Sequence, residues 1–209
     1  MARKTKEDAE NTRAMILNSA LNCFYEKGFS RTGFEDIARP IGLTKGAVYW
    51  HFKNKADVLA ALIRQKVEVG HREIGEEFSH PDSIDGLRLF FLREAEYIES
   101  NPNLQKFLFF SMFQVEWSDN SFKQVTDELG EISDYHFKTV KEALTSAQKR
   151  GEIAPDINVD TVALIIVSAW RGMVNTYISK DMNFSLSKVF VEGLDVILDR
   201  IEVRKAIER

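Results

Sequence analysis

The run Leu43-Thr44-Lys45-Gly46-Ala47-Val48-Tyr49-Trp50-His51-Phe52-Lys53-Asn54-Lys55 restricts the fold of this chain more than any other segment. Thr44 is a helix N-cap residue, whose hydroxyl oxygen accepts a bond from a backbone N–H in the first turn. Val48 and Phe52 follow four residues apart on one helical face, and Asn54 stands where it would cap the next helix. So short a helix holds only against neighbours. Val48, Trp50 and Phe52 are assigned to that packing, because a three-helix unit needs about that many large apolar groups. Lys45, Tyr49 and His51 put charge and hydrogen-bonding groups on the remaining surface. Gly46 removes the side chain that would keep another molecule's backbone away.

The neighbours lie immediately upstream. Gly28 ends a first long helix over 11–27, in which Ile16, Leu17, Ala20, Leu21 and Phe24 share a face. Thr32 with Glu35 three residues on has the spacing of a capping box, and Phe34, Ile37 and Ile41 recur at helical intervals. Pro40 deletes the backbone bond to residue 36, so this second helix is expected to end or kink at Arg39. Gly42 makes the turn. The layout is a helix-turn-helix with residues 44–52 as the reading helix. A core of about fifty residues is too small to be very stable without support from the rest of the chain.

Gly28-Phe29, Thr32, Asp36-Ile37-Ala38, the run 41–52 and Lys55 together resemble the TetR family of transcriptional repressors, in particular its AcrR-like branch that governs multidrug efflux. The resemblance covers about residues 10–60. It implies that Thr44 and Lys45 enter the major groove, that Tyr49 and His51 meet phosphates or a thymine methyl, and that Lys55 holds a phosphate at the start of the fourth helix. Thr32 and Gly46 belong to the same expected DNA-binding set. The run Met1-Ala2-Arg3-Lys4-Thr5-Lys6 looks like the basic arm of some efflux regulators. Gly33 departs from the family, which often has a Ser or Thr there to support a phosphate contact.

Charge is divided along the chain in the same sense. Residues 1–55 carry a net charge of +4 and residues 56–209 a net −8, which the whole-chain value of −4 conceals. A positive end suits a phosphate backbone, and a negative body discourages adhesion to the same DNA.

Beyond residue 55 the pattern is helical almost throughout, without repeats, low-complexity stretches or a convincing strand. A long helix capped by Asn54, with Asp57 at its third position, runs to about residue 78 and joins head to body without a flexible linker. Further helices are expected over 84–99, from Asn101-Pro102-Asn103 onward, and over 122–150, 159–179 and 185–201. Gly151-Glu152-Ile153-Ala154-Pro155-Asp156 resembles the loop that many family members place before their last two helices.

Eleven of the 23 aromatic residues fall within 90–137, more than packing alone needs, and aromatic walls with a few polar groups describe a drug-sized ligand site. Phe90, Glu94, Tyr97, Phe113, Glu116, Trp117, Tyr135 and Trp170 are the expected lining. Glu94 shares a face with Phe90 and Tyr97, and Glu116 adjoins Trp117. An acid among aromatic rings attracts an organic cation. In the last helix Phe190, Leu194, Ile197, Leu198 and Ile201 form an apolar stripe, matched by Val162, Ile166, Trp170, Met173 and Tyr177 in the helix before. These stripes, with Gly172 and Gly193 for close approach, are the expected homodimer interface, a four-helix contact about a two-fold axis.

Enzyme signatures are missing from the sequence: no Gly-rich phosphate loop, no His-Glu-x-x-His, and four histidines (His51, His71, His80, His136) without metal-ligand spacing. No catalytic residue, metal or cofactor is expected. Cys23, the single cysteine, excludes an intrachain disulfide or thiolate cluster. No apolar run approaches 18 residues and the charged start lacks a following apolar stretch, so a cytoplasmic protein without membrane span or secretory signal is expected.

The expected architecture is all-α: a helix-turn-helix DNA-binding domain over residues 1–54 and a helical effector-binding and dimerisation domain over 55–209. The expected function is repression of an efflux operon. The partners are a palindromic double-stranded operator, a second copy of the chain, and a small lipophilic effector that releases the DNA. The alternative is a related regulator that activates, or that answers a protein partner or a metabolite unrelated to efflux.

Overall fold

Caps and glycines divide the chain close to where the sequence places them. The computed structural model describes residues 6–75, 80–115, 123–179 and 184–202, and of 123–129 and 131–133 the backbone alone. Residues 1–5 of the basic arm, Glu116, Trp117 and Phe122 lie outside these. The helices are α1 (Lys6–Lys27), α2 (Phe34–Ala38), α3 (Lys45–His51), α4 (Lys55–Ile74), α5 (Ile84–Ser100), α6 (Pro102–Phe113), α7 (Lys123–Lys149), α8 (Val159–Ser179) and α9 (Leu186–Ile201). Between the described residues of this all-α fold the one strand-like contact is an isolated bridge between Ile153 and Glu202.

Local chemistry explains most boundaries. Gly28, at φ 81°, ends α1 in the left-handed region, with its N–H donating to Phe24 O at 2.9 Å. Pro40 stops α2 at Ala38, and the chain continues as a tighter 3-10 turn, Arg39–Ile41, before Gly42 reverses it at φ 67°. Thr44 Oγ1 accepts from Ala47 N–H at 3.2 Å. At α4 the cap is reciprocal: Asn54 Oδ1 accepts from Asp57 N–H at 2.8 Å, and Asp57 Oδ2 from Lys53 N–H at 3.0 Å.

The capping box expected at Thr32 and Glu35 is displaced by one residue. Gly33 is the N-cap of α2, and its N–H donates to Asp36 Oδ2 at 2.9 Å. Glycine has no side chain to complete the exchange, so Asp36 alone makes the reach back. Lys27 donates to the same carboxylate at 2.6 Å. That bond first, and the Gly33 N–H next, hold the Asp36 carboxyl below the ordinary aspartate value.

Packing divides the chain into two compact units, Met1–Val67 with Pro102–Leu129, and Glu68–Asn101 with Gly130–Arg209. In the first, Ile16, Leu17, Leu21 and Phe24 of α1 are buried with Ile37, Val48, Phe52, Leu59 and Leu62. The support that so small a core requires comes from α6, whose Phe110 ring lies 5.5 Å from that of Phe24 and 5.6 Å from Phe107. α4 is shared between the units.

The second unit is built on α5 against α9, with α8 beside α9. Phe91, Trp170 and Phe190 meet there at ring separations of 4.7–5.3 Å. Arg88 of α5 donates to Asp195 at 2.6 Å and to Glu202 at 2.8 Å, tying α5 to the far end of α9. α8 is long and apolar enough to cross a membrane by length and composition. Its apolar side chains Val162, Ile166, Val167, Trp170 and Val174 are spent in the core instead.

Candidate nucleic-acid interface and effector site

Helix α3 turns Val48 and Phe52 inward, fully and almost fully buried, and presents its other side to solvent. On that side stand Thr44, Lys45, Gly46 and Tyr49. The Tyr49 ring packs edge-on against Phe34 at 4.7 Å, and Lys45 Nζ lies 5.7 Å above it, so the phenol is held rather than loose. Trp50 departs from the sequence expectation: assigned to the core, it is 73% exposed. Two residues advance a helix by about 200°, which carries Trp50 away from the face of Val48 and Phe52. The helical period alone could have found it. His51 is half-buried and meets Trp50 edge-on at 4.6 Å.

Gly46 carries separate information. A Cβ built there would meet only Thr44 Oγ1, at 3.8 Å, and alanine is the better helix former. Nothing inside the protein demands glycine. A side chain there would stand on the exposed surface of α3.

Two residues expected on the DNA-binding surface are occupied within the fold. Thr32 is 2% exposed, its hydroxyl 2.8 Å from Gly28 O and 3.1 Å from Cys23 O. It closes the end of α1 and cannot reach a phosphate. Lys55 donates to Phe29 O at 2.7 Å and Ser30 O at 3.1 Å, with its Nζ 4.8 Å above the Phe29 ring. Burial holds its pKa below the ordinary lysine value. An ammonium has three donors, so one is left for a phosphate after the turn has taken two.

The expected effector lining is only partly brought together. Phe90 and Trp170, 1% and 5% exposed, are core residues of the second unit: Trp170 packs on Phe190 of α9, whereas Phe90 lies against Phe91 and the His136 ring of α7. Phe113 belongs to the first unit, half exposed against Phe109 at 5.4 Å. Glu94 neither faces solvent nor stands alone. Both its carboxylate oxygens lie 3.0 Å from His136 Nε2. Tyr135 is 5.8 Å from the His136 ring and 5.2 Å from that of His71. The Tyr97 hydroxyl is buried near Asn101, outside hydrogen-bonding geometry. Desolvation, and then the charge of Glu73, push its pKa up. Neither histidine was marked by spacing, since their partners are distant in sequence.

The expected interface stripe is also core. Phe190, Leu194, Leu198 and Ile201 are at most 7% exposed, and Ile197 is half-buried. This is the face that α9 lays on α5 in its own subunit. The outward apolar residues are others: Leu164 and Ile165 on α8, 57% and 50% exposed, and Val189 and Val196 on α9, 36% and 75% exposed. Gly172 and Gly193 are exposed with nothing within 4 Å of a notional Cβ.

The bacterial regulatory proteins of the tetR family match residues 16–62. Over 204 residues the chain is 28% identical to the HTH-type transcriptional regulator TtgR of Pseudomonas putida, covering 94% of this chain and 96% of that one. Over 205 residues it is 28% identical to the probable acrEF/envCD operon repressor of Escherichia coli (strain K12), covering 95% and 90%. Among solved structures it is similar to NalD, the secondary repressor of the MexAB-OprM multidrug efflux pump in Pseudomonas aeruginosa. That match has a TM-score of 0.78 at 23% identity, covering 95% of this chain and 100% of the other. The SmeT–triclosan complex is similar at a TM-score of 0.78 and 24% identity, covering 95% of each chain. At such identities the structural likeness speaks for the fold.

Proposed function

We propose, for a chain that belongs to the TetR family of bacterial regulatory proteins and to its AcrR-like branch, the role of an effector-released repressor of a multidrug efflux operon. The observation that carries the DNA-binding half is the outer face of α3. There Thr44, Lys45, Tyr49 and Trp50 surround a glycine that the fold itself does not need. Thr44 and Lys45 read the groove, Tyr49, Trp50 and His51 take phosphates or a thymine methyl, and Lys55 holds one phosphate with its remaining donor. Thr32 acts through the turn it closes. Residues 1–54 act as the head and 55–209 as the effector-binding and dimerising body, in the cytoplasm where the operator lies.

Two heads are needed because each has few contacts. A dimer across the outward residues of α8 and α9 would set them about one helical turn of DNA apart, roughly 34 Å, on a palindromic operator. Support for the efflux role comes from the likeness to NalD, a repressor of a multidrug efflux pump, and for a lipophilic effector from the triclosan bound by SmeT. Effector binding displaces α4 and the heads lose register with the two half-sites. The experiment is a fluorescence-anisotropy titration of the palindrome beside the neighbouring efflux operon, with and without a lipophilic drug. Tight, salt-sensitive binding that the drug weakens is expected. Binding indifferent to the sequence, or to every drug tried, rejects the role.

A further inference from the structure

The Glu94–His136 pair joins α5 to α7 inside the second unit, and its imidazole half was not in the expected lining. Its side chains are 13% and 18% exposed, and the imidazole Nε2 is equidistant, at 3.0 Å, from both carboxylate oxygens. Such a position needs an Nε2–H donating to a carboxylate that carries its charge. A second proton on the imidazole makes the pair neutral. Without it the pair keeps one negative charge, faced by Phe90 at 6.2 Å and Tyr135 at 5.8 Å from the imidazole ring. A negative pair with aromatic rings beside its imidazole attracts an organic cation through charge and ring together. Among the described residues, ionisable groups at hand include Tyr97 of α5, His71, Arg72 and Glu73 of α4, and Tyr135 of α7. On α8, Asp160 is engaged by Lys141 at 2.6 Å.

We infer that an organic cation bound against Glu94 exchanges with one proton of the His136 imidazolium. The incoming charge replaces a departing one: the N–H bond breaks, the electron pair stays on nitrogen, and the proton passes to solvent. Cationic effectors therefore bind more tightly as pH rises through the histidine range, and neutral effectors of the same size do not. The inference rests on the effector reading of the body, and the test separates the two.

The probe is tetraphenylphosphonium, whose charge does not titrate, with triphenylphosphine oxide as its neutral counterpart, each titrated into the full-length protein between about pH 5 and about pH 8, where histidine changes charge. For the cation, affinity is expected to rise by up to about tenfold per pH unit, the limit for one proton exchanged. Calorimetry in two buffers of different ionisation enthalpy should count that proton. The neutral probe should show a flat profile. Glu94→Gln should weaken the cation and flatten its profile, whereas His136→Asn should keep cation binding and lose the slope. A cation bound tightly at one affinity across the range overturns the exchange but leaves the effector reading standing. If the neutral probe alone binds, cation exchange is overturned and a lipophilic effector survives. If neither probe binds or loosens the operator, both fail. The wild-type profile decides even if a variant does not fold.

Discussion

On α3 a single residue's exposure decides whether a substitution is felt by the fold or by the DNA. Phe52 is 4% exposed, and Phe52→Ala is expected to cost about 3–5 kcal/mol of stability, as large core truncations do. Trp50→Ala should leave the thermal melt within about 0.5 kcal/mol and still lower operator affinity, measured by anisotropy on the same preparation. Gly46→Ala sharpens the contrast, because its two effects have opposite signs. Gly46 stands in the first turn of α3, where alanine gains at most the roughly 0.5–1 kcal/mol it has over glycine in a helix interior, and the new methyl finds only Thr44 Oγ1 at 3.8 Å. The melt should rise and operator binding should weaken; unchanged binding would remove Gly46 from the contact surface. Asp36 shows the same logic for charge. Its carboxyl is held below the ordinary value by Lys27 and the Gly33 N–H, so the stability it lends is present above about pH 4 and is lost as pH falls through the lower, folded value. Melts across that acid range should decline in the wild type, and Asp36→Asn should lose this part of the decline.

An amphipathic helix has a buried face and an outer face, and at the scale of the element the question is what covers each. In α9 the buried positions 186, 190, 194, 198 and 201 follow the helical period, and α5 of the same subunit covers them. Leu194→Glu would bury an unpaired charge, so it should unfold the body rather than divide a dimer. Val196→Glu or Ile165→Glu, on the outer face, should give a folded monomer with poor operator binding. Sedimentation and circular dichroism together separate these outcomes, and a dimeric Val196→Glu, Ile165→Glu double variant would place the interface elsewhere. Caps act at this scale as well: Thr44 adds no packing, yet its oxygen satisfies Ala47 N–H at the start of α3, and losing such a cap costs about 1 kcal/mol.

At the scale of the whole molecule, the division by packing differs from the division by role. The helix-turn-helix reads as residues 1–54, but its compact unit includes the first part of α4 and all of α6. A fragment ending at Val67 lacks Phe107 and Phe110, whose rings continue the cluster begun by Phe24 and Phe29. It should melt without a cooperative transition, whereas the full chain should melt cooperatively; an equally sharp melt from the fragment would show that α6 is dispensable. Because α4 begins in this unit and ends in the other, effector and operator are expected to be linked. The factor by which an effector lowers DNA affinity must then equal the factor by which DNA lowers effector affinity, with about 1–3 kcal/mol usual for such coupling.

The features legible in the sequence were those that act within a few residues. Thr44 and Asn54 as caps, Gly28 and Gly42 as reversals, Pro40 as the end of α2, and the helical order of the chain all follow from backbone chemistry that needs no distant partner. Trp50 was legible too, had the helical period been weighed above its size. Other assignments waited on the tertiary structure. Thr32 and Lys55 could face a phosphate or a carbonyl with equal chemical sense, and only the approach of Cys23, Phe29 and Ser30 decided for the carbonyls. Glu94 found His136 across 42 residues. The apolar stripe of α9 was read correctly as a stripe and assigned to the wrong neighbour, because burial of apolar surface is non-directional: periodicity tells that a face will be covered, while the packing of α5 alone tells by what.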